Sequence, residues 1–196
     1  MLYQIISYVL ETVTAVVAGA CLLRAFMQYC RAPFSNPIGE MVFALSNWLV
    51  LPLRKTMGQI KGPGKGSGSL DWPSVVAAYL IELAHAVLLW VLAGANHQLA
   101  PLGDVPVFAL FALGRLALSG LTGLVMFYVI LSWLNPASQA FGLLSRLVEP
   151  LLEPVRRVVP LFGQVDLSPF VVFVLLNIAS MVWAGLQNAV VQALSL

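Results

Sequence analysis

Four stretches of this chain are each long enough to cross a membrane and carry almost no charge, and that excludes most folds. They cover roughly residues 3–28, 72–95, 105–134 and 168–194. A helix needs about 20 predominantly apolar residues to cross the ~30 Å hydrocarbon core. The first stretch holds one acid, Glu11, and one base, Arg24; the second holds Glu82 and His85, the third Arg115, and the fourth has no charge. Continuous runs such as VVAAYLIELAHAVLLWVLAGA do not alternate as barrel strands do. Lipid leaves backbone groups no partner but the chain itself, so these stretches are expected to be helices. With only 9% charged residues and a mean hydropathy of +0.92, the chain cannot coat a water-soluble globule. Soluble domains carry about a quarter charged residues.

The basic residues are placed unevenly. Arg31, Arg54, Lys55, Lys61 and Lys65 lie between the first two spans, and Arg146, Arg156 and Arg157 between the last two. The segment between the second and third spans has none before Arg115. The positive-inside rule therefore places both long loops in the cytoplasm and both termini on the outer side. The N-terminal stretch lacks a basic leader, so it is expected to remain as an anchor and not to be cleaved as a signal peptide. Cys21 and Cys30 have no redox or metal spacing and are expected to be reduced packing residues. Small residues four apart (Ala15 and Gly19, Ser119 and Gly123, Ser180 and Ala184) read as ordinary helix-packing faces.

The two halves repeat one another. Aligning Pro52 with Pro154 pairs Arg54 with Arg156 and Lys55 with Arg157. Each Pro-x-basic-basic stretch is followed by an acid where the next span begins, Asp71 in DWPS and Asp166 in DLSP. Aligning the aspartates also pairs Glu82 with Asn177. The expected fold is an all-α membrane protein, with four transmembrane helices as two tandem parallel repeats over 1–98 and 99–196. Each repeat is a helix, an amphipathic interfacial segment and a second helix. Copies with an even number of spans share one orientation, which predicts a pseudo-two-fold axis along the membrane normal.

The segments joining the spans carry the most specific pattern. In the second, Phe141, Leu144, Val148, Leu151, Leu152 and Val155 recur at helical spacing, opposite Arg146, Glu149, Glu153, Arg156 and Arg157. That pattern is an amphipathic helix suited to a surface of anionic headgroups. Pro150 and Pro154 each remove an amide and are expected to break it into short pieces. Arg146 with Glu149, and Glu153 with Arg156, are spaced as surface pairs. Asp71 and Asp166 are placed to cap the following spans; a pairing of Asp166 with Arg156 or Arg157 is the alternative. Pro73 and Pro169, the latter after Ser168, suit a first helical turn.

These residues resemble the YggT family, also called YlmG-like, over nearly the whole chain. The likeness is sharpest where ILSWLNP, containing Trp133, is followed by LVEPLLEPVRRVVP and then DLSP; the first half has FMQYCRAP and DWPS instead. Arg24 lies near the family's usual arginine, and Tyr128 stands nearby in the second half. The resemblance implies a bacterial inner-membrane protein or a thylakoid protein. It implies links to osmotic-stress tolerance, to cell-division or envelope genes, to plastid nucleoid distribution and, in one branch, to haem attachment in the cytochrome b6f complex. It carries over no catalytic residues.

Within the spans, Glu82 and His85 share one helix face, and Glu11 and Asn177 can join them in a polar interior. They read as interhelical contacts, or as a proton or ion site. No phosphate loop, zinc spacing or triad appears, so no enzymatic activity, metal or cofactor is expected. The leading expectation is a scaffold or assembly factor, binding a membrane-protein partner or lipid through Arg54, Lys55, Arg146, Arg156 and Arg157. A small oligomeric transporter using Glu11, Glu82, His85 and Asn177 is the first alternative, and a haem-delivery helper the second. A homo-oligomer fits either setting; direct nucleic-acid binding is not expected.

Overall fold

The computed structural model describes residues 1–57, 70–94, 102–158 and 166–194. Lys61, Lys65, His97 and the KGPGKGSG insert lie outside them. Among the described residues the secondary structure is helical throughout: α1 (Leu2–Tyr29), α2 (Pro37–Met57), α3 (Trp72–Gly94), α4 (Val105–Leu134), α5 (Gln139–Arg156) and α6 (Ser168–Leu194). A 3-10 turn, Leu102–Asp104, leads into α4.

Helices α1, α3, α4 and α6 are long and apolar enough to span a membrane. They match the four sequence stretches, and the chain is a multi-pass membrane protein. Large apolar side chains such as Val13, Leu88, Phe127, Leu175 and Met181 point outward, as lipid contact requires. Helix α1 packs on α3, α3 on α4, and α4 on α6, with a further contact between α1 and α4. The shorter α2 lies against α1 and α3, and α5 lies against α4 and α6. Each half thus runs long helix, short helix, long helix, and both short helices sit at the same end of the bundle.

The short helices start where local chemistry stops the chain from continuing straight. Asn36 opens α2: its Oδ1 accepts the Gly39 amide at 2.8 Å, while its own amide donates to the Pro33 carbonyl at 2.5 Å. Residue 39 must be glycine, because a Cβ there would collide with the Phe34 carbonyl. Ser138 opens α5 by accepting the Phe141 amide at 3.1 Å.

Pro150 and Pro154 do not break α5, which is continuous from Gln139 to Arg156. Both prolines are exposed, and Leu143, Leu144, Leu147, Val148 and Leu152 are buried. A proline clashes with the carbonyl four residues back, here that of Arg146 or Pro150. Those residues are also exposed, so the carbonyls can tilt outward while the buried side keeps its packing. Pro52 is accommodated in the same way on the exposed side of α2.

Helix α5 ties the halves together. Leu143 and Leu147 join Met27, Ala32 and Val42 of the first half in one buried cluster. One turn on, Val148 and Leu152 join Val125 of α4 and Val172 of α6 in another. Cys30 fits the same seam, its thiol directed at the Leu147 carbonyl 4.0 Å away, and burial raises its pKa. Both cysteines are free thiols. The glycine that packing requires is not in the small-residue pairs. A Cβ on Gly19 or Gly123 would meet no atom within 4 Å, whereas one on Gly114 would strike the Trp183 indole. That indole lies on α4 and donates to the Phe111 carbonyl at 2.9 Å.

Candidate functional site

Two polar constellations stand out from this apolar frame. The first is at the end of the bundle that carries α2 and α5. Arg54, in the last turn of α2, donates to Asp71 at 2.8 Å, and Asp71 is 96% buried by its 4% relative exposure. The same carboxylate oxygen accepts the Ser74 hydroxyl at 2.6 Å. In the second half, Arg156 donates through Nε to Asp166 at 2.9 Å and through Nη1 to Glu149 at 2.9 Å. Each short helix is therefore tied by its arginine to the aspartate at the start of the following span.

The aspartates differ in what else they do. Asp166 accepts the Ser168 amide at 2.9 Å and so caps α6 directly. The Asp71 carboxylate takes a hydroxyl instead, and only its backbone carbonyl receives α3 amides, from Ser74 and Val75. Burial alone would raise the pKa of Asp166, but hydrogen bonds from Ser168 and Arg156 outweigh it and hold the carboxyl below its ordinary value. Burial would likewise lower Arg156, yet its bond to Asp166 and the charges of Glu149 and Asp166 leave it raised.

The surface pairs on α5 are not those expected from spacing. Arg156 passes over Glu153 to reach Glu149 and Asp166, and Glu153 pairs with Arg157, which sits one full turn along. Arg146 does not pair with Glu149, which is taken by Arg156. Of the five basic candidates, Arg54, Arg156 and Arg157 are held in internal pairs, and no ion pair engages Lys55 or Arg146 among the described residues. Trp133 is largely exposed at the end of α4, and Ser168 and Pro169 are buried at the start of α6.

Arg24 is the residue that sequence reasoning undervalued. It is buried in α1, donating to Ser46 at 2.9 Å and Asn47 at 2.8 Å on α2. Its guanidinium lies 4.8 Å from the Phe43 ring centroid, and Phe43 in turn stacks on Phe34. Arg24 also lies 3.9 Å from Asp71, completing a network with Arg54. The available signal was an arginine inside an apolar span, with a Ser-Asn pair in the next helix to receive it. At the comparable place in the second half, Tyr128 stacks on Phe141 and the contact is apolar.

The second constellation is a cavity of about 440 Å³ lined by Glu11, Glu82, His85, Arg115 and neutral residues including Thr14, Ser119 and Gln187. His85 Nδ1 lies 3.8 Å from Glu82, and Arg115 lies 3.5 Å from Glu11. Glu11, Glu82 and His85 are thus brought together as their spacing allowed, with Arg115 added from α4. Asn177 does not line this cavity; its amide donates to the Phe173 carbonyl one turn back. No cluster of potential metal ligands occurs among the described residues.

The profile of the CCB3/YggT family matches residues 3–92 and 107–187. The chain belongs to the CCB3/YggT family. It is 27% identical over 182 residues to "Uncharacterized protein YggT" of Escherichia coli strain K12, covering 90% of this chain and 87% of that protein. It is 31% identical over 176 residues to "Uncharacterized protein PA0392" of Pseudomonas aeruginosa, covering 89% and 85% respectively. No solved structure matches the chain. Both matched stretches contain a span pair with its short helix, and the Arg–Asp tie falls inside each.

Two outcomes follow. Arg24→Ala should destabilise the purified protein by roughly 3–5 kcal/mol, since it strips a buried network of its donor. Arg24→Lys should recover only part, because an ammonium lacks the guanidinium fork. Thermal unfolding in detergent measures both, and an Arg24→Ala variant within about 1 kcal/mol of the parent would contradict the network's role. The Asp166 carboxyl is depressed in the folded state, so its stabilisation is present above the ordinary value of about 3.9 and is lost as pH falls through the folded value. Asp166→Asn should therefore lower the melting temperature at neutral pH, and the gap from the parent should close on acidification.

Proposed function

We propose that this protein is a non-enzymatic scaffold of the bacterial inner membrane, presenting the α2 and α5 face to a partner membrane protein or to anionic headgroups. The observation that carries this reading is the two-sided character of α5. Its apolar side is buried against both halves, and its charged side, with Arg146, Glu149, Glu153 and Arg157, is turned outward. That is an amphipathic helix docked on the bundle and still offering a polar surface. Lys55 and Arg146, left out of the internal ion pairs, are the residues most available to an anionic partner. The distribution of basic residues supports a cytoplasmic setting for this face, with both termini periplasmic. The long–short–long halves and the paired Arg–Asp ties support two tandem copies, 1–98 and 99–196. An assembly or stress-tolerance role fits a protein that organises others at this surface.

A second reading, a small oligomeric transporter, draws on the cavity at Glu11, Glu82, His85 and Arg115. A polar path extending to Asn177 has no support in the lining of that cavity.

Combining Lys55→Ala with Arg146→Ala tests the scaffold. A basic residue near an anionic surface contributes about 1 kcal/mol, so the double variant should retain anionic lipid or a co-purified partner roughly tenfold to thirtyfold less well. Its melting temperature should stay close to that of the parent. Capture from native membranes, with quantification of bound lipid and protein, measures this. Undiminished retention would overturn the proposed docking face.

A further inference from the structure

The cavity between the spans contains titratable groups for which the docking face has no use. Among the described residues, four helices line it. Helix α1 contributes Glu11, α3 contributes Glu82 and His85, α4 contributes Arg115, and α6 contributes the neutral Gln187. Helix α2, the remaining neighbour of α3, supplies no lining residue. Arg115 and Glu11 neutralise one another across 3.5 Å, and their side chains are 70% and 58% exposed. Glu82 is buried, and its partner on the same helix is His85.

With Arg115 and Glu11 offsetting one another, a Glu82 carboxylate would be left as one uncompensated negative charge inside a membrane span. Such a charge is costly and is relieved by taking up a single cation. The smallest suitable cation is a proton. His85 Nδ1 lies 3.8 Å from Glu82, and its other nitrogen, Nε2, is buried without a hydrogen-bond partner among the described residues. We propose that this cavity binds one exchangeable proton, held on Glu82 or on the neighbouring His85, with Arg115 and Glu11 as its charge-neutral neighbours.

The geometry also sets the side from which the proton arrives. Leu89, Phe108 and Gln187 line the cavity near the ends of α3, α4 and α6 that lie away from α2 and α5. Toward α2 and α5 the next cavity, about 400 Å³, is lined by apolar residues including Gly19, Leu22, Gly120 and Leu124. Leu116 borders both. The proton therefore enters and leaves at the end away from α2 and α5, and an apolar stretch separates the site from the opposite end. The site takes up and releases a proton without conducting it. This inference is independent of the scaffold reading.

Infrared difference spectroscopy on the full chain in lipid nanodiscs tests it, comparing spectra between about pH 5 and pH 9, which bracket carboxylate and imidazole titration. The parent should show a carboxyl band and an imidazole band changing together. Glu82→Gln should abolish the carboxyl band and alter the imidazole band; His85→Gln should do the reverse. His97→Gln, at the only other histidine, should leave unchanged the bands that those two variants remove. Size-exclusion profiles and melting temperatures confirm that each variant is folded. A parent spectrum lacking bands that Glu82→Gln and His85→Gln remove would overturn the site. Proton flux into liposomes that is lost in Glu82→Gln would overturn its one-sidedness.

Discussion

A helix entering lipid leaves its first amides and hydroxyls in need of partners, and a carboxylate placed at that end must itself be neutralised. Much of this structure answers that constraint. Asp71 and Asp166 stand at the starts of α3 and α6, and each is met by an arginine from the last turn of the preceding short helix. The short helix cannot drift from the bundle without exposing an unpaired charge at the start of a span. The ties thus set where α2 and α5 end, and their buried apolar sides set how they lie. The charged side left over is the part free to meet something else.

The halves meet this constraint with different materials. In the first, Arg24 reaches from within α1 to Ser46 and Asn47 and approaches Asp71, so α2 is held by a buried polar network. In the second, Tyr128 stacks on Phe141, and Val125, Val148, Leu152 and Val172 form an apolar cluster. Asp166 is accordingly more exposed than Asp71, and it relies on Ser168 and Arg156 for compensation. One architecture is therefore held by a buried ion network on one side and by packing plus a surface ion pair on the other. Helix α5, touching both, makes the two sides a single body.

What the sequence revealed follows from the range of the forces involved. The spans were legible because lipid imposes a composition on every residue of a long helix. The order of Pro, basic pair and Asp was legible as a pattern, yet spacing alone could not say which arginine meets which acid. Arg156 reaches Glu149 two turns away and Asp166 just ahead of the next helix, which an i to i+3 rule does not anticipate. Continuity of α5 through Pro150 and Pro154 depended on which side of the helix is covered, a tertiary fact. The partners of Arg24 were hidden for the same reason, since they are on another helix. Glu82 and His85 were found together because they are neighbours on one helix, whereas Arg115 joined them only through the packing of α3 on α4.

The central claim is that α2 and α5 form one layer on one side of the membrane. Single cysteines introduced as Lys55→Cys, Arg146→Cys or Asp104→Cys, in a chain with Cys21 and Cys30 replaced by serine, test it through labelling with a membrane-impermeant thiol reagent. The account predicts that Lys55→Cys and Arg146→Cys react only once the cytoplasmic face is opened, and that Asp104→Cys reacts in cells whose outer membrane alone has been permeabilised. Reaction of Lys55→Cys and Arg146→Cys on opposite faces would contradict it.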